Sequence, residues 1–236
     1  MSQIKVERLS FRDIDSARIS VENAFEEDPL CEYLRDKQTK KSGFLKGIIS
    51  SLQLDARFVL AVHTKTAFTV DHGKALAIYV PAASSAGKPR PTPLKLFLQQ
   101  LVKILSYTSN WLNTPEQKKK YEGKLADLVR DGVGKKVNEM VFLHGLATSP
   151  EHQGKGYGTA LVKTVTDIAD AEGRECYLLS SNINNTSFYN SCGFYSFKET
   201  VFGADNPTWK KDPIVVPLMV RAAKGKEPCE KSLLMG

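Results

Sequence analysis

The chain is 236 residues long, 42% hydrophobic and 25% charged, with a formal net charge of +7. That composition excludes wholesale disorder, and the length suits one large domain, or one domain with an insertion, that buries a core without disulfides or metals. No apolar run approaches the roughly 20 residues that span a bilayer, and Met1–Asp13 has no signal-peptide core.

A soluble, cytoplasmic chain with no membrane partner is therefore expected. The cysteines Cys31, Cys176, Cys192 and Cys229 form no CxxC pair and are not grouped with the histidines, so no metal site is expected and free thiols suit a reducing compartment. Basic runs at Lys37–Lys41 and Lys118–Lys120 read as solvated helix ends. A basic surface suits a polyanionic ligand, a nucleotide cofactor before a nucleic acid. The oligomeric state stays open, a homodimer included.

Val6–Leu9 reads as a short first strand. Asp13 or Asp15 caps the helix that follows, whose apolar positions Ile14, Ala17, Val21, Ala24 and Phe25 share one face. Asp28-Pro29 stops it, because the residue before a proline avoids the helical region. A second helix turns Phe44, Leu45, Ile48, Ile49 and Leu52 inward. Three β-like runs follow, Phe58–His63, Ala67–Val70 and Leu76–Val80, with Asp71-His72-Gly73-Lys74 as a hairpin turn between the last two.

Pro81–Pro93 is a turn-rich linker. Beyond it Leu94, Phe97, Leu98, Leu101, Val102 and Leu105 form an amphipathic stripe, and Pro115–Arg130 reads as a further helix carrying Tyr121, Leu125, Leu128 and Val129. The pair reads as a helical insertion at about 81–137, packed as core or lid. Met140–Thr148 is an apolar strand. The next helix turns Leu161, Val162, Val165, Ile168 and Ala169 to one face and ends at Gly173. Cys176–Ser180 is a strand, Asn185–Ser191 a short helix ended by Gly193, and Tyr195–Val201 and Ile214–Val220 are the closing strands. Residues 1–221 read as one domain, and Ala222–Gly236, polar and basic, as a frayed tail.

Chemistry concentrates between the Met140–Thr148 strand and the helix after it. Gln153-Gly154-Lys155-Gly156-Tyr157-Gly158 opens that helix. Alternate glycines there leave backbone N–H groups bare, the helix dipole adds partial positive charge, and Lys155 adds a mobile cation. This is a pyrophosphate cradle. It is not a Walker A loop, since GxxxxGK[ST] is absent. It is a poor Rossmann fingerprint, since the next strand ends in Ser180-Ser181-Asn182 without an acidic residue. A glycine-rich turn without a ligand is the plain alternative, set against the helix stability that glycine costs.

Leu146-Ala147-Thr148-Ser149-Pro150-Glu151-His152-Gln153-Gly154-Lys155-Gly156-Tyr157-Gly158-Thr159-Ala160-Leu161 resembles the acetyl-CoA motif of the GNAT acetyltransferases, with Thr148 where valine is usual. About 30 residues on, Asn182–Phe194 resembles that family's N-x-x-N-x-x-F-Y-x-x-x-G-F. Asp28-Pro29 is similar to the branch containing puromycin-type and fungal small-molecule acetyltransferases. The helices of Pro93–Arg130 have no counterpart in the minimal family fold. The resemblance implies a mixed α/β (α+β) fold, a mainly antiparallel sheet with helices on both faces, here with a helical insertion. It implies acetyl-CoA as cofactor, CoA as product and N-acetylation as the reaction.

The resemblance also distributes roles. Two parallel strands splay near Thr148 and Ser181. Backbone groups of Leu146, Ala147 and Thr148 pair with the pantetheine arm, and one N–H polarises the thioester carbonyl. Gln153, Gly154, Lys155, Gly156, Tyr157 and Gly158 hold the pyrophosphate. Asn182 and Asn185 contact the pantetheine or shape their turn. Tyr189 is the candidate general acid, against a packed tyrosine whose hydroxyl is merely satisfied. Cys192 is not expected to act as a nucleophile. His144, two residues before Leu146 and so on that residue's face of the strand, is the candidate base, against a histidine that only bonds across the sheet. Glu139 and Glu27 are the runners-up. Glu27 and Asp28 also stand as carboxylates to attract a cationic small-molecule amine, against solvated carboxylates. A protein lysine or N-terminal acetyltransferase and a non-catalytic acyl-CoA sensor are the rival functions.

Overall fold

The structure, a computed structural model, describes residues 4–35, 43–85, 92–112 and 115–226. Among these, strands β1 (Glu7–Arg8), β2 (Ala67–Val70), β3 (Ala75–Val80), β4 (Val141–Thr148), β5 (Cys176–Leu179), β6 (Tyr195–Phe202) and β7 (Ile214–Arg221) form one sheet in the order β1-β2-β3-β4-β5-β7-β6. Every neighbouring pair is antiparallel except β4 with β5. The expected mixed, mainly antiparallel sheet is therefore present. The hairpin turn between β2 and β3 carries Asp71, His72 and Gly73 at positive φ, as a tight turn requires.

Helices cover both faces. On one face α6 (Tyr157–Ala171) buries Leu161, Val162, Val165 and Ala169 against Ala75, Ala77, Val141, Leu143, Cys176 and Leu178. It ends in a Schellman cap: Gly173 takes φ 63° and Arg174 N–H donates to Ala169 O at 2.8 Å. On the other face α1 (Ile14–Ala24) and α3 (Gly43–Thr64) pack Ile14, Ala17, Phe58 and Ala61 on Ala67, Leu76 and Ala147. Two helices lie between β3 and β4 in the chain, α4 (Pro93–Leu112) and α5 (Pro115–Val133). α5 lies over the far end of the same face, where Leu128 and Val133 meet Tyr177, Leu218 and Val220.

Several expectations change. Phe58–His63 is the last part of α3, not a strand. Its β-branched composition misleads, because Leu54, Phe58, Ala61 and Val62 recur at helical spacing and form the buried stripe. Ile48 and Leu52, expected inward, are 43% and 50% exposed. The side chains of Phe44, Leu45 and Lys118–Lys120, and all of Lys37–Lys41, lie outside the described residues. On α4 only part of the stripe is covered: Leu98 is buried, while Leu94 and Phe97 are exposed.

Asp28-Pro29 does not end a helix. It starts α2 (Pro29–Arg35), with proline at the first helical position, where its missing N–H costs nothing. Asp13 sits at the N-cap of α1 without capping it, its carboxylate being taken up by the Ser10 hydroxyl at 2.6 Å and by His72. Ala222–Lys226, expected as part of a frayed tail, is held against the domain. Ala223 is buried and Lys224 N–H donates to Asp170 at 2.8 Å, beside the bidentate Arg221–Asp170 pair that ties β7 to α6. Residues 227–236 lie outside the described part. Among the described residues no helix is long and apolar enough to cross a membrane.

Candidate active site

The parallel pair β4–β5 is joined only at Val141↔Cys176 and Phe142↔Tyr177. β4 nevertheless runs on to Thr148, held by β3 along its other edge. Its edge toward β5 is therefore without a strand partner from Leu143 to Thr148. Backbone groups in that state need a partner from water or a ligand, and an extended ligand can supply one as an added strand. Leu146, Ala147 and Thr148 all lie on this open edge.

The turn after β4 is anchored before it opens. Ser149 N–H donates to Lys74 O at 2.9 Å, and the Ser149 hydroxyl bonds His152 Nδ1 at 2.9 Å. The Gln153 side-chain amide donates back to Thr148 O at 3.3 Å, so this residue braces the turn. Gly154 and Gly156 take φ of 73° and 80°. Gly156 is the N-cap of α6, and no side chain caps that helix. The first-turn N–H groups, which have no partner inside the helix, are left to a ligand or water. A Cβ placed on Gly154 would meet nothing within 4 Å, so the approach is open, and Lys155 is exposed beside it. Gly158 serves a different need: a Cβ there would stand 3.2 Å from the Phe188 ring, so its smallness lets α6 meet α7 (Thr186–Ser191). The Tyr157 ring stacks 6.2 Å from that of His152.

Asn182 shapes the turn after β5. Its side chain accepts from Asn184 N–H at 3.0 Å, and its carbonyl accepts from the Ser180 hydroxyl and Asn185 N–H. Asn185 stands exposed at the N-terminus of α7 with no cap bond. Tyr189, on α7, packs among the residues beneath α6 and meets Phe188 and Phe194 edge-on at 5.1 and 6.2 Å. Burial, reinforced by the neighbouring Cys192, pushes its phenol up to about 12. It therefore keeps its proton throughout the neutral range.

His144 occupies a place that strand parity does not foresee. Ile78 pairs with Gly145 and Tyr79 with Leu143, so His144 is an extra residue in a β-bulge. The bulge breaks the alternation. Leu146 faces α6, whereas His144 lies on the opposite face beside the Phe142 ring at 5.2 Å. The expectation that the two share a face is overturned. The imidazole is exposed to solvent at its edge, yet the protein packed around its ring partly desolvates it and, with Arg57 of α3 nearby, holds its pKa below the ordinary value of 6.5. Arg57, far from β4 in the chain, is the residue that sequence reasoning missed; only the packing of α3 brings it here. Its own pKa is lowered by burial, with Glu122 and Tyr121 of α5 opposing that shift.

The remaining carboxylates separate. Glu27 is exposed. Asp28 is buried and fully engaged: Oδ1 accepts from Leu30 and Cys31 N–H at 3.0 and 2.9 Å, and Oδ2 from the Ser181 hydroxyl at 2.6 Å. It caps α2 and ties that helix to the end of β5, at the mouth of the splay. Glu139 is exposed at the opposite end of β4 from the splay.

Residues 120–194 match the model of the acetyltransferase (GNAT) family. An uncharacterized N-acetyltransferase of Schizosaccharomyces pombe is 29% identical over 108 residues, which span 46% of this chain and 42% of that protein. Among solved structures, arylalkylamine N-acetyltransferase 2 of Aedes aegypti aligns over 94% of this chain and 99% of its own, at 15% identity and a TM-score of 0.57. The polyamine N-acetyltransferase of Drosophila melanogaster, which forms N-acetylagmatine, aligns over 93% and 100%, at 12% identity and a TM-score of 0.55. At these identities the likeness is one of fold. The splayed parallel pair and the uncapped glycine turn both fall in or beside the segment, residues 120–194, that is similar to the acetyltransferase (GNAT) family.

Proposed function

We propose that this chain transfers the acetyl group of acetyl-CoA to the primary amine of a small molecule, by direct attack within a ternary complex, in the cytoplasm. The observation that carries the reading is the junction of an open β4 edge with an uncapped helix N-terminus. An extended amide arm fits the first, and a pyrophosphate fits the second. Solved structures of this fold that act on arylalkylamines and polyamines support a small amine as acceptor.

Acetyl-CoA, when bound, supplies an activated acyl carbon. Leu146, Ala147 and Thr148 present backbone groups to the arm, and a β4 N–H faces the carbonyl oxygen as charge grows on it. Gln153–Gly158 hold the phosphates, Asn185 is free to reach the arm, and Asn182 keeps the turn. The amine nitrogen forms the new C–N bond and loses a proton. His144, uncharged at neutral pH, accepts that proton directly or through water. Tyr189 would hydrogen-bond the sulfur as the C–S bond breaks and give it a proton that solvent then restores to the phenol, because a phenol raised to about 12 is a weaker acid than a thiol. His144 and Tyr189 lie on opposite faces of the sheet, which suits an acceptor entering from one side and the cofactor from the other. Glu27, exposed to solvent, attracts the cationic amine in this reading, while Asp28 acts through the α2–β5 tie.

The test is an acetyl-CoA-dependent thiol-release screen over arylalkylamines, polyamines, amino acids and peptides. Turnover of a small amine is expected. Turnover confined to peptides would replace the acceptor class, and cofactor binding with no turnover on any acceptor would leave a sensor.

A further inference from the structure

The sheet face that carries His144 also carries an open, mainly apolar cavity of about 640 Å³, broadly exposed to solvent. Its floor is Phe142, Tyr177 and Leu179, and its far wall is Leu125, Val129 and Val137. The first two are the last hydrogen-bonded pair of β4 and β5, and their rings stack at 4.5 Å and 7°. The cavity thus begins where the strands start to part. His144 sits directly beyond it, its ring against that of Phe142.

The volume falls within the range of small-molecule sites. Among the described residues no carboxylate lines it. Its two cations, Arg130 and Lys135, belong to the rim side, and Arg130 is already paired with Asp127 at 2.6 Å and Asp131 at 3.0 Å. The lining offers a polyamine chain no negative charge to pair with, and its two cations repel one. An uncharged apolar body is favoured in proportion to the apolar area it removes from water.

We infer that this cavity receives the body of the acceptor, and that the acceptor is a primary amine on a flat, uncharged, apolar or aromatic frame rather than a polycation. The inference rests on the acetyltransferase reading for the fate of the amine, but not for the binding itself. α5 forms one wall, so the helical insertion sets acceptor specificity.

4-Fluorophenethylamine serves as probe. Its fluorine resonance, observed with the full chain and CoA present, should broaden and shift on binding, and spermidine at equal concentration should not displace it. Val129→Phe fills the cavity from the wall, and Ala126→Phe does so from an exposed position that need not disturb the core. Each should weaken probe binding at least tenfold while the thermal shift given by CoA is unchanged, which also shows that the variant is folded. Displacement by spermidine, or undiminished binding in Ala126→Phe, would overturn the inference. Probe binding that is lost in both variants, together with no acetylation by the parent, would sustain the cavity and refute the acetyltransferase reading instead.

Discussion

Replacing Asp28 by alanine separates a structural carboxylate from a substrate-binding one. Both oxygens of Asp28 are occupied inside the protein, one by the first N–H groups of α2 and the other by Ser181. Loss of an N-cap costs about 1 kcal/mol. Loss of a buried hydrogen bond to a charged group costs about 1.5–3 kcal/mol. The sum, about 2.5–4 kcal/mol, corresponds to a fall of roughly 5–15 °C in Tm for a domain of this size. Asp28→Asn keeps an acceptor for the cap and should lose about half as much. Thermal unfolding without acceptor gives the first readout, and the acceptor KM measured well below the transition gives the second. The tie predicts a large change in the first and less than a threefold change in the second. A Tm within about 2 °C of the parent with the acceptor KM raised tenfold would refute it, and would make Asp28 a carboxylate that holds the amine.

Tyr189→Phe keeps the ring and its packing but removes the proton, so kcat should fall by roughly ten- to ten-thousand-fold with the acetyl-CoA Kd little changed; near-normal turnover would assign the proton to water. Because the phenol is raised to about 12, the parent's rate should show no alkaline decline from this group below about pH 11. The acid limb should lie below the ordinary histidine value, and Arg57→Gln should move it upward, since removing a nearby cation favours the imidazolium; a limb that stays put in both Arg57→Gln and His144→Ala would remove His144 from the reaction. Gly156→Glu should abolish acetyl-CoA binding by calorimetry, since it charges the anion site, while Gly156→Ala, which carries the strain of φ 80° and a 3.2 Å approach to the Ile4 side chain, should lose about 1 kcal/mol of stability and retain measurable binding. Equal affinity in the parent and the glutamate variant would displace the phosphate site from this turn.

What could be read from the sequence alone is local. The glycines of Gln153–Gly158, the caps at Gly173 and Gly193, and the apolar period of α6 act through neighbours within a few residues, so they declare the strand, turn and helix without knowledge of the rest. The glycine turn followed from these, whereas the open β4 edge was implied by the resemblance to the GNAT acetyltransferases. What the tertiary structure decided depends on partners far away in the chain. Phe58–His63 is helical because Leu54, Phe58, Ala61 and Val62 bury one stripe against β2, β3 and β4, which outweighs its β-rich composition. One inserted residue in β4 moves His144 to the other face, and only the pairing with β3 shows where the insertion falls. Asp28 was visible as a charge, but its role depends on Ser181, 153 positions on. The electrostatic influence of Arg57 on His144 and the cavity under α5 likewise exist only once α3 and α5 have packed over the sheet, because burial and electrostatic proximity belong to the assembled fold and have no sequence period.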